Sequence, residues 1–253
     1  MPRIISFVSP KGGCGATFVC AALQRTLSEN SKKTLVLDMC FDKCTSDYAL
    51  GVQNDYVYTL ADVLGGDITL SEAVSGSGEI FLRADYDSEG FDFEKAGEII
   101  RNCDYDYVLV DLNSSSPEIV QSVLDFSDML VLVTDCTEVS VKLCDTFALR
   151  HDFENTKIII NKIFPHYIQK GIHMNVDEII DTLCCPLLGL VPWDVTAQAL
   201  LKDGMENIGN HGTFAKCFSN IAKRILGQRQ PAYDFSEFCK NDKLYKYLTK
   251  GRN

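Results

Sequence analysis

The segment Ser9-Pro10-Lys11-Gly12-Gly13-Cys14-Gly15-Ala16-Thr17 decides how this chain is read. A strand-like apolar run, 4–9, leads into it, and a helical pattern follows to about Ser28. Strand, glycine loop and helix in that order make an anion cradle. Glycines let the backbone wrap closely around a phosphate, with several N–H groups turned inward. The helix that follows aims the positive end of its dipole at the same anion. Thr17 falls where a hydroxyl would bind Mg²⁺. A glycine turn without a ligand would need neither the strand, the helix nor the hydroxyl, so the complete string predicts a phosphate-binding loop at Gly12, Gly13, Cys14, Gly15, Ala16 and Thr17.

Outward from the loop, strand-like runs recur at 34–38, 80–82, 107–111, 129–134, 157–161 and 187–191, with helical stretches between them. Several are continuous apolar runs, as expected of strands buried on both faces of a parallel sheet. Their alternation with helical patterns predicts βαβ units and an α/β fold: a doubly wound, mostly parallel sheet with helices on both faces. Gly227 to Pro231 read as a break. The expected organisation is a nucleotide-binding domain over 1–227, then the break and a basic helical tail over 228–253.

Composition narrows the function. A chain of 253 residues that is 46% hydrophobic can bury a large core, yet no apolar run approaches the ~20 residues of a membrane span. The N-terminus meets glycines too early for a signal peptide, so a cytoplasmic location is expected. Eleven cysteines fit reduced, buried thiols, because an odd number scattered over a long chain is no disulfide framework. No Cys-x-x-Cys is present, which argues against zinc and iron–sulfur sites. A net charge of −11 makes nucleic acid an unlikely partner, since phosphate backbones need a basic face. The charge is uneven. In residues 240–253, Lys240, Lys243, Lys246, Lys250 and Arg252 stand against Asp242, a segment of +4 behind a body of −15.

The loop resembles the deviant Walker A motif of the MinD/ParA family of P-loop ATPases, Lys-Gly-Gly-x-Gly-Lys-Thr/Ser. The resemblance extends over about residues 3–226. It implies ATP or ADP and Mg²⁺ as cofactors, and a homodimer that closes on ATP. It makes Lys11 the signature lysine, which in relatives reaches across the dimer to the partner's phosphates. The usual P-loop lysine is absent, because Ala16 stands in its place. A charge-assisted hydrogen bond is worth roughly 1.5–3 kcal/mol, so its loss would weaken binding by ~10- to 150-fold. Small residues at this position also occur in the related CpaE/TadZ proteins, which help to place pilus-assembly machinery.

Other segments carry the same resemblance. Asp38-Met39-Cys40-Phe41-Asp42, with Asp47 further on, resembles switch I. It implies that Asp38 organises the Mg²⁺ shell and takes part with Lys11 in the chemistry. Cys40 replaces a second Asp that relatives use to hold the attacking water, and a thiol is a poor base at neutral pH. Tyr107-Val-Leu-Val-Asp111 resembles a Walker B strand, with Asp111 at the metal beside Thr17 and Asp38. Ser115 stands where relatives have a glycine that senses the γ-phosphate. Ile160-Asn161-Lys162 and Gly189-Leu-Val-Pro192-Trp193-Asp194 resemble the base-binding end: Asn161 would bond the adenine edge, Pro192 border the base and Trp193 stack on it.

In the tail, Leu244, Tyr247 and Leu248 share one helical face with lysines alongside. Such a helix can lie in an anionic membrane interface, and it resembles the family's membrane-targeting helix in position and character. A helix packed on its own domain, or a solvated end, is the other reading. Together these expectations describe an ATP-binding positioning switch with weak or lost hydrolysis, or a non-catalytic scaffold that uses nucleotide structurally. Either would be cytoplasmic or peripheral at the inner face of the membrane, with its protein partner unidentified.

Overall fold

The computed structural model describes residues 1–41, 43, 45–76, 80–112, 116–203, 205–210 and 212–233. Asp42, Ser115 and the tail at 240–253 lie outside the described residues. Seven strands form one sheet: β1 (Arg3–Val8), β2 (Thr34–Asp38), β3 (Phe81–Arg83), β4 (Tyr107–Leu112), β5 (Met129–Thr134), β6 (Thr156–Ile163) and β7 (Leu187–Pro192). Their spatial order is β3-β2-β4-β1-β5-β6-β7, and every strand pairing is parallel. The expected strands are therefore all present, shifted by a residue or two at their ends.

Parallel neighbours require crossovers, and helices supply them. Along the described chain these are α1 (Ala16–Glu29), α2 (Ser46–Leu50), α3 (Leu60–Gly65), α4 (Leu70–Ala73), α5 (Phe93–Arg101) and α6 (Pro117–Leu124). They continue as α7 (Glu138–His151), α8 (Pro165–Gln169), α9 (Val176–Leu183), α10 (Thr196–Asp203) and α11 (Gly212–Ile225). None is long and apolar enough to cross a membrane.

Side chains alternate across the sheet and build a separate core on each face. Ile4 and Val8 of β1, Leu35 and Leu37 of β2, and Val108 and Val110 of β4 join one core, which continues into α5, α6, α7 and α9. Ile5, Phe7, Val36, Leu109 and Val131 join the other, with α1 and α11. There Phe18 of α1 meets Phe214 and Phe218 of α11 edge-on, at centroid distances of 5.7 and 5.9 Å. α1 is thus clamped between sheet and helix, which fixes the loop at its amino end. After α11, Gly227 turns in the left-handed region at φ 80° and the chain runs on to 233 without helix or strand. Gln230 still donates to the Asn220 side chain at 3.1 Å.

Candidate nucleotide-binding site

Parallel strands end on one edge of the sheet, so the segments that follow β1, β2 and β4 converge there. The register makes Asp38 of β2 the lateral partner of Asp111 of β4, and Phe7 of β1 the next neighbour of Asp111. Both carboxylates are buried, at 1% and 2% exposure. Asp38 accepts the backbone N–H of Cys40 at 2.8 Å and of Ser46 at 3.2 Å. Asp111 accepts the Ser46 hydroxyl at 2.6 Å. Burial raises the Asp111 carboxyl to about 7, and the Asp38 charge adds to this; hydrogen bonds from Ser46 and Thr17 offset it only in part.

This donor set fits a hard divalent cation. Two carboxylates so buried and so close repel each other unless a proton or a cation lies between them. A carboxylate oxygen of each and the Cys40 thiol lie within 4.8 Å of one another, and the Thr17 hydroxyl at the start of α1 lies near enough to lower the Asp111 carboxyl. Oxygen donors of this kind suit Mg²⁺. The three expected metal residues, Thr17, Asp38 and Asp111, are brought together, and Ser46 joins them unannounced by any motif.

The loop between β1 and α1 has the glycine geometry its sequence implies. Gly13 and Gly15 lie in the left-handed region, at φ 84° and 94°. At Gly15 space is also decisive, because a Cβ there would sit 2.6 Å from Asn161 Nδ2. Gly15 occupies the N-cap of α1, and no side chain caps the helix. The first-turn N–H groups are therefore open to an anion. Cys14 turns inward, fully buried, with its Sγ 3.1 Å from the Ser140 hydroxyl and 3.6 Å from Asp135. Ala16 packs its methyl against the core beneath.

Lys11 folds back onto its own chain. Its ammonium lies 2.7 Å from Asp135 Oδ2, just after β5, and donates to the Thr137 hydroxyl at 3.3 Å. The Asp135 hydrogen bond raises the Lys11 pKa above its ordinary value, against a lowering by partial burial. Burial alone would raise the Asp135 carboxyl, but the hydrogen bonds from Lys11 and Thr137 outweigh it and hold the group below the usual carboxylate range. The pattern in the sequence singles out Lys11 but not Asp135.

On the other side of the loop, β6 ends in two side chains that grip loop carbonyls. Asn161 is 3% exposed and donates to Cys14 O at 2.8 Å; Lys162 donates to Gly13 O at 2.5 Å. Asn161, expected to meet the adenine edge, thus spends an amide hydrogen on the loop. A cavity of about 410 Å³ opens beside it, bordered by Thr17, Tyr48, Asn161, Lys162, Pro192 and Trp193. Trp193 is half-exposed at its rim, edge-on to Phe164 at 5.6 Å. Tyr48 reaches it from α2, exposed, another residue that no sequence pattern marks.

A strand–loop–helix cradle, a buried carboxylate pair and a cavity across the carboxyl ends define the class as P-loop nucleotide-binding proteins. Residues 5–208 match the CobQ/CobB/MinD/ParA nucleotide binding domain, and the chain belongs to that family. The septum site-determining protein MinD of Helicobacter pylori is 26% identical over 253 residues, spanning 93% of this chain and 94% of the relative. Its counterpart in Synechocystis is 26% identical over 251 residues, spanning 93% of each chain. Among solved structures, a chain of the MinC:MinD cell division protein complex of Aquifex aeolicus superposes with a TM-score of 0.81 at 23% identity, covering 92% of this chain and 98% of that one. The septum site-determining protein MinD of Pyrococcus horikoshii, complexed with Mg-ADP, gives 0.74 at 26% identity, covering 89% and 96%.

Proposed function

We propose that this chain is a MinD-like, ATP-binding positioning switch that serves division-site or polar localisation. The observation that carries the reading is the edge itself: the glycine loop and Thr17 line one cavity, and the buried Asp38–Asp111 pair ends neighbouring strands on the same edge. In this reading the phosphates lie along residues 12–17. Thr17, Asp38 and Asp111 hold Mg²⁺, which when bound neutralises phosphate charge. The base lies between Asn161 and the Pro192–Trp193 turn. Residues 1–227 form the nucleotide unit, and 228–253 form a break and a basic tail that engages anionic membrane once two copies associate.

Lys11 is the residue that turns occupancy into association. For it to reach a second copy, its bond to Asp135 must open, so ATP must offer the ammonium a better anion than its own carboxylate. Hydrolysis is weak in this reading. Ala16 contributes no charge to the loop, and Cys40 brings a thiol, not a carboxylate, to the place where water would be activated. The same two residues favour a second reading, a CpaE/TadZ-like scaffold that keeps nucleotide as a structural part. Titration calorimetry of the full chain with Mg²⁺-ATP and Mg²⁺-ADP tests both, and absence of heat at millimolar nucleotide would sink both. Turnover measured beside Ala16→Lys separates them: a switch must reset by hydrolysis, and a scaffold need not.

A further inference from the structure

The phosphate loop has a shortage of positive charge. Ala16 offers a methyl group. Lys11 is compensated by Asp135 at 2.7 Å. Lys162 is different. Its ammonium stands 2.5 Å from Gly13 O, and its Cε lies 3.9 Å from where a Cβ on Gly15 would be. It therefore sits against the middle of the loop, although it comes from β6, 149 positions away in sequence. A carbonyl satisfies one of its three hydrogens and leaves the charge whole. Among the described residues no carboxylate lies within ion-pair distance of it.

The backbone holds it there at a cost. Lys162 adopts φ 54°, a left-handed conformation that few non-glycine residues take. The β6–β7 register shifts between Ile160 and Ile163, on either side of it. Strain of this kind persists where surrounding structure over-determines it, and it collects at ligand sites. Here the determinants are Asn161, anchored on Cys14 O, and Trp193, whose backbone N–H donates to Ile163 O at 2.8 Å. An irregular strand end thus brings to the loop a lysine that has no carboxylate partner among the described residues.

We propose that Lys162 is a nucleotide-binding residue of this chain, supplying to the phosphates from β6 the positive charge that Ala16 cannot supply from within the loop. The inference rests on the nucleotide-binding reading above. It assigns the charge-assisted bond to a flexible four-carbon stem on a neighbouring strand. The ammonium moves from the Gly13 carbonyl to a phosphate oxygen when the nucleotide enters. Loop and strand are then joined through the ligand.

The test is calorimetry of the full chain with Mg²⁺-ATP, Mg²⁺-ADP, AMP and adenosine, on wild type, Lys162→Asn, Lys162→Arg, Ala16→Lys and the Ala16→Lys/Lys162→Asn pair. Asparagine tolerates the left-handed backbone, so this variant should fold, and a melting curve checks it. Lys162→Asn should weaken ATP and ADP by about 10- to 150-fold, the range of one charge-assisted bond, and adenosine by less than threefold. Lys162→Arg should keep most of the affinity. In the Ala16→Lys background, the loss on Lys162→Asn should shrink to a few-fold, because the loop then has its own cation. Equal losses for ATP and adenosine would overturn the inference, since Lys162 would then act on the base or on loop shape. So would a full loss that persists in the Ala16→Lys background. A wild type that binds none of the four ligands would overturn the nucleotide reading itself, and this inference with it.

Discussion

Asp111 shows how a single residue sets the chemistry of this edge. Its carboxyl is raised to about 7 in the fold, first by burial and then by Asp38. The folded protein therefore binds this proton more tightly than the unfolded chain, whose aspartates titrate near pH ~4. This group's contribution to apoprotein stability is present at low pH and is lost as pH rises through about 7. Asp111→Asn should raise the melting temperature in chelator at pH 8, with a smaller gain at pH 5, and should abolish the Mg²⁺-dependent part of nucleotide affinity. An unchanged Mg²⁺ response would place the cation elsewhere. Lys11, Thr17, Asp38 and Asp111 stood out in the sequence because Lys11 and Thr17 sit at fixed offsets in the glycine-loop motif, and Asp38 and Asp111 each close an apolar strand run. Ser46, Asp135 and Lys162 were not, because each reaches the site from an element whose spacing to the loop only the folded chain defines.

At the scale of elements, the seven strands were legible for a physical reason. Strands covered on both faces are apolar along most of their length, so 107–110 and 129–133 read as unbroken runs. The short helices were not, since α2, α4 and α8 have four or five residues and no full amphipathic period. The close packing of β7 on α11 was equally invisible. Gly189 has no strained backbone angle, yet a Cβ there would overlap Cγ1 of Ile221 and lie 2.6 Å from its Cδ1. Gly189→Ala should therefore destabilise by about 1–3 kcal/mol, the usual cost of overpacking. Combining it with Ile221→Ala should cost less than the sum of the two single changes, since each relieves the other. Urea melts of the four proteins check this, and strict additivity would mean that α11 simply moves aside.

At the scale of the whole molecule, the Lys11–Asp135 pair would oppose association in the proposed switch, because Lys11 must leave Asp135 to reach a second copy. An ion pair with one partner a third exposed is worth little in water, roughly 0.2–1 kcal/mol, so it biases the equilibrium without locking it. Asp135→Asn should lower the ATP concentration needed for dimerisation by about 1.4- to fivefold, the equivalent of that range. Lys11→Ala should prevent dimerisation at any ATP concentration. Light scattering at saturating Mg²⁺-ATP reads both, and a wild type that stays monomeric would favour the scaffold reading. The −15 body opposes an anionic surface while the +4 tail attracts one. Sedimentation with anionic liposomes should accordingly need nucleotide, fall with added salt and vanish on deletion of 240–253, with nucleotide affinity unchanged. A truncated protein that still sediments would move the membrane signal to the folded body or to a bound protein.

Trp193 gives the molecule an optical property that follows from where it stands. It is the single tryptophan in 253 residues, so all indole emission comes from one ring at the rim of the cavity. The residue is about half exposed to water, which should give a red-shifted spectrum before nucleotide is added. A base covering it should quench the emission or move it toward the blue, while a ligand confined to the phosphate loop should leave it nearly unchanged. Stopped-flow fluorescence of the unlabelled chain would thus separate arrival of the base from arrival of the phosphates in time. Inorganic pyrophosphate, which has no base, should bind without a signal.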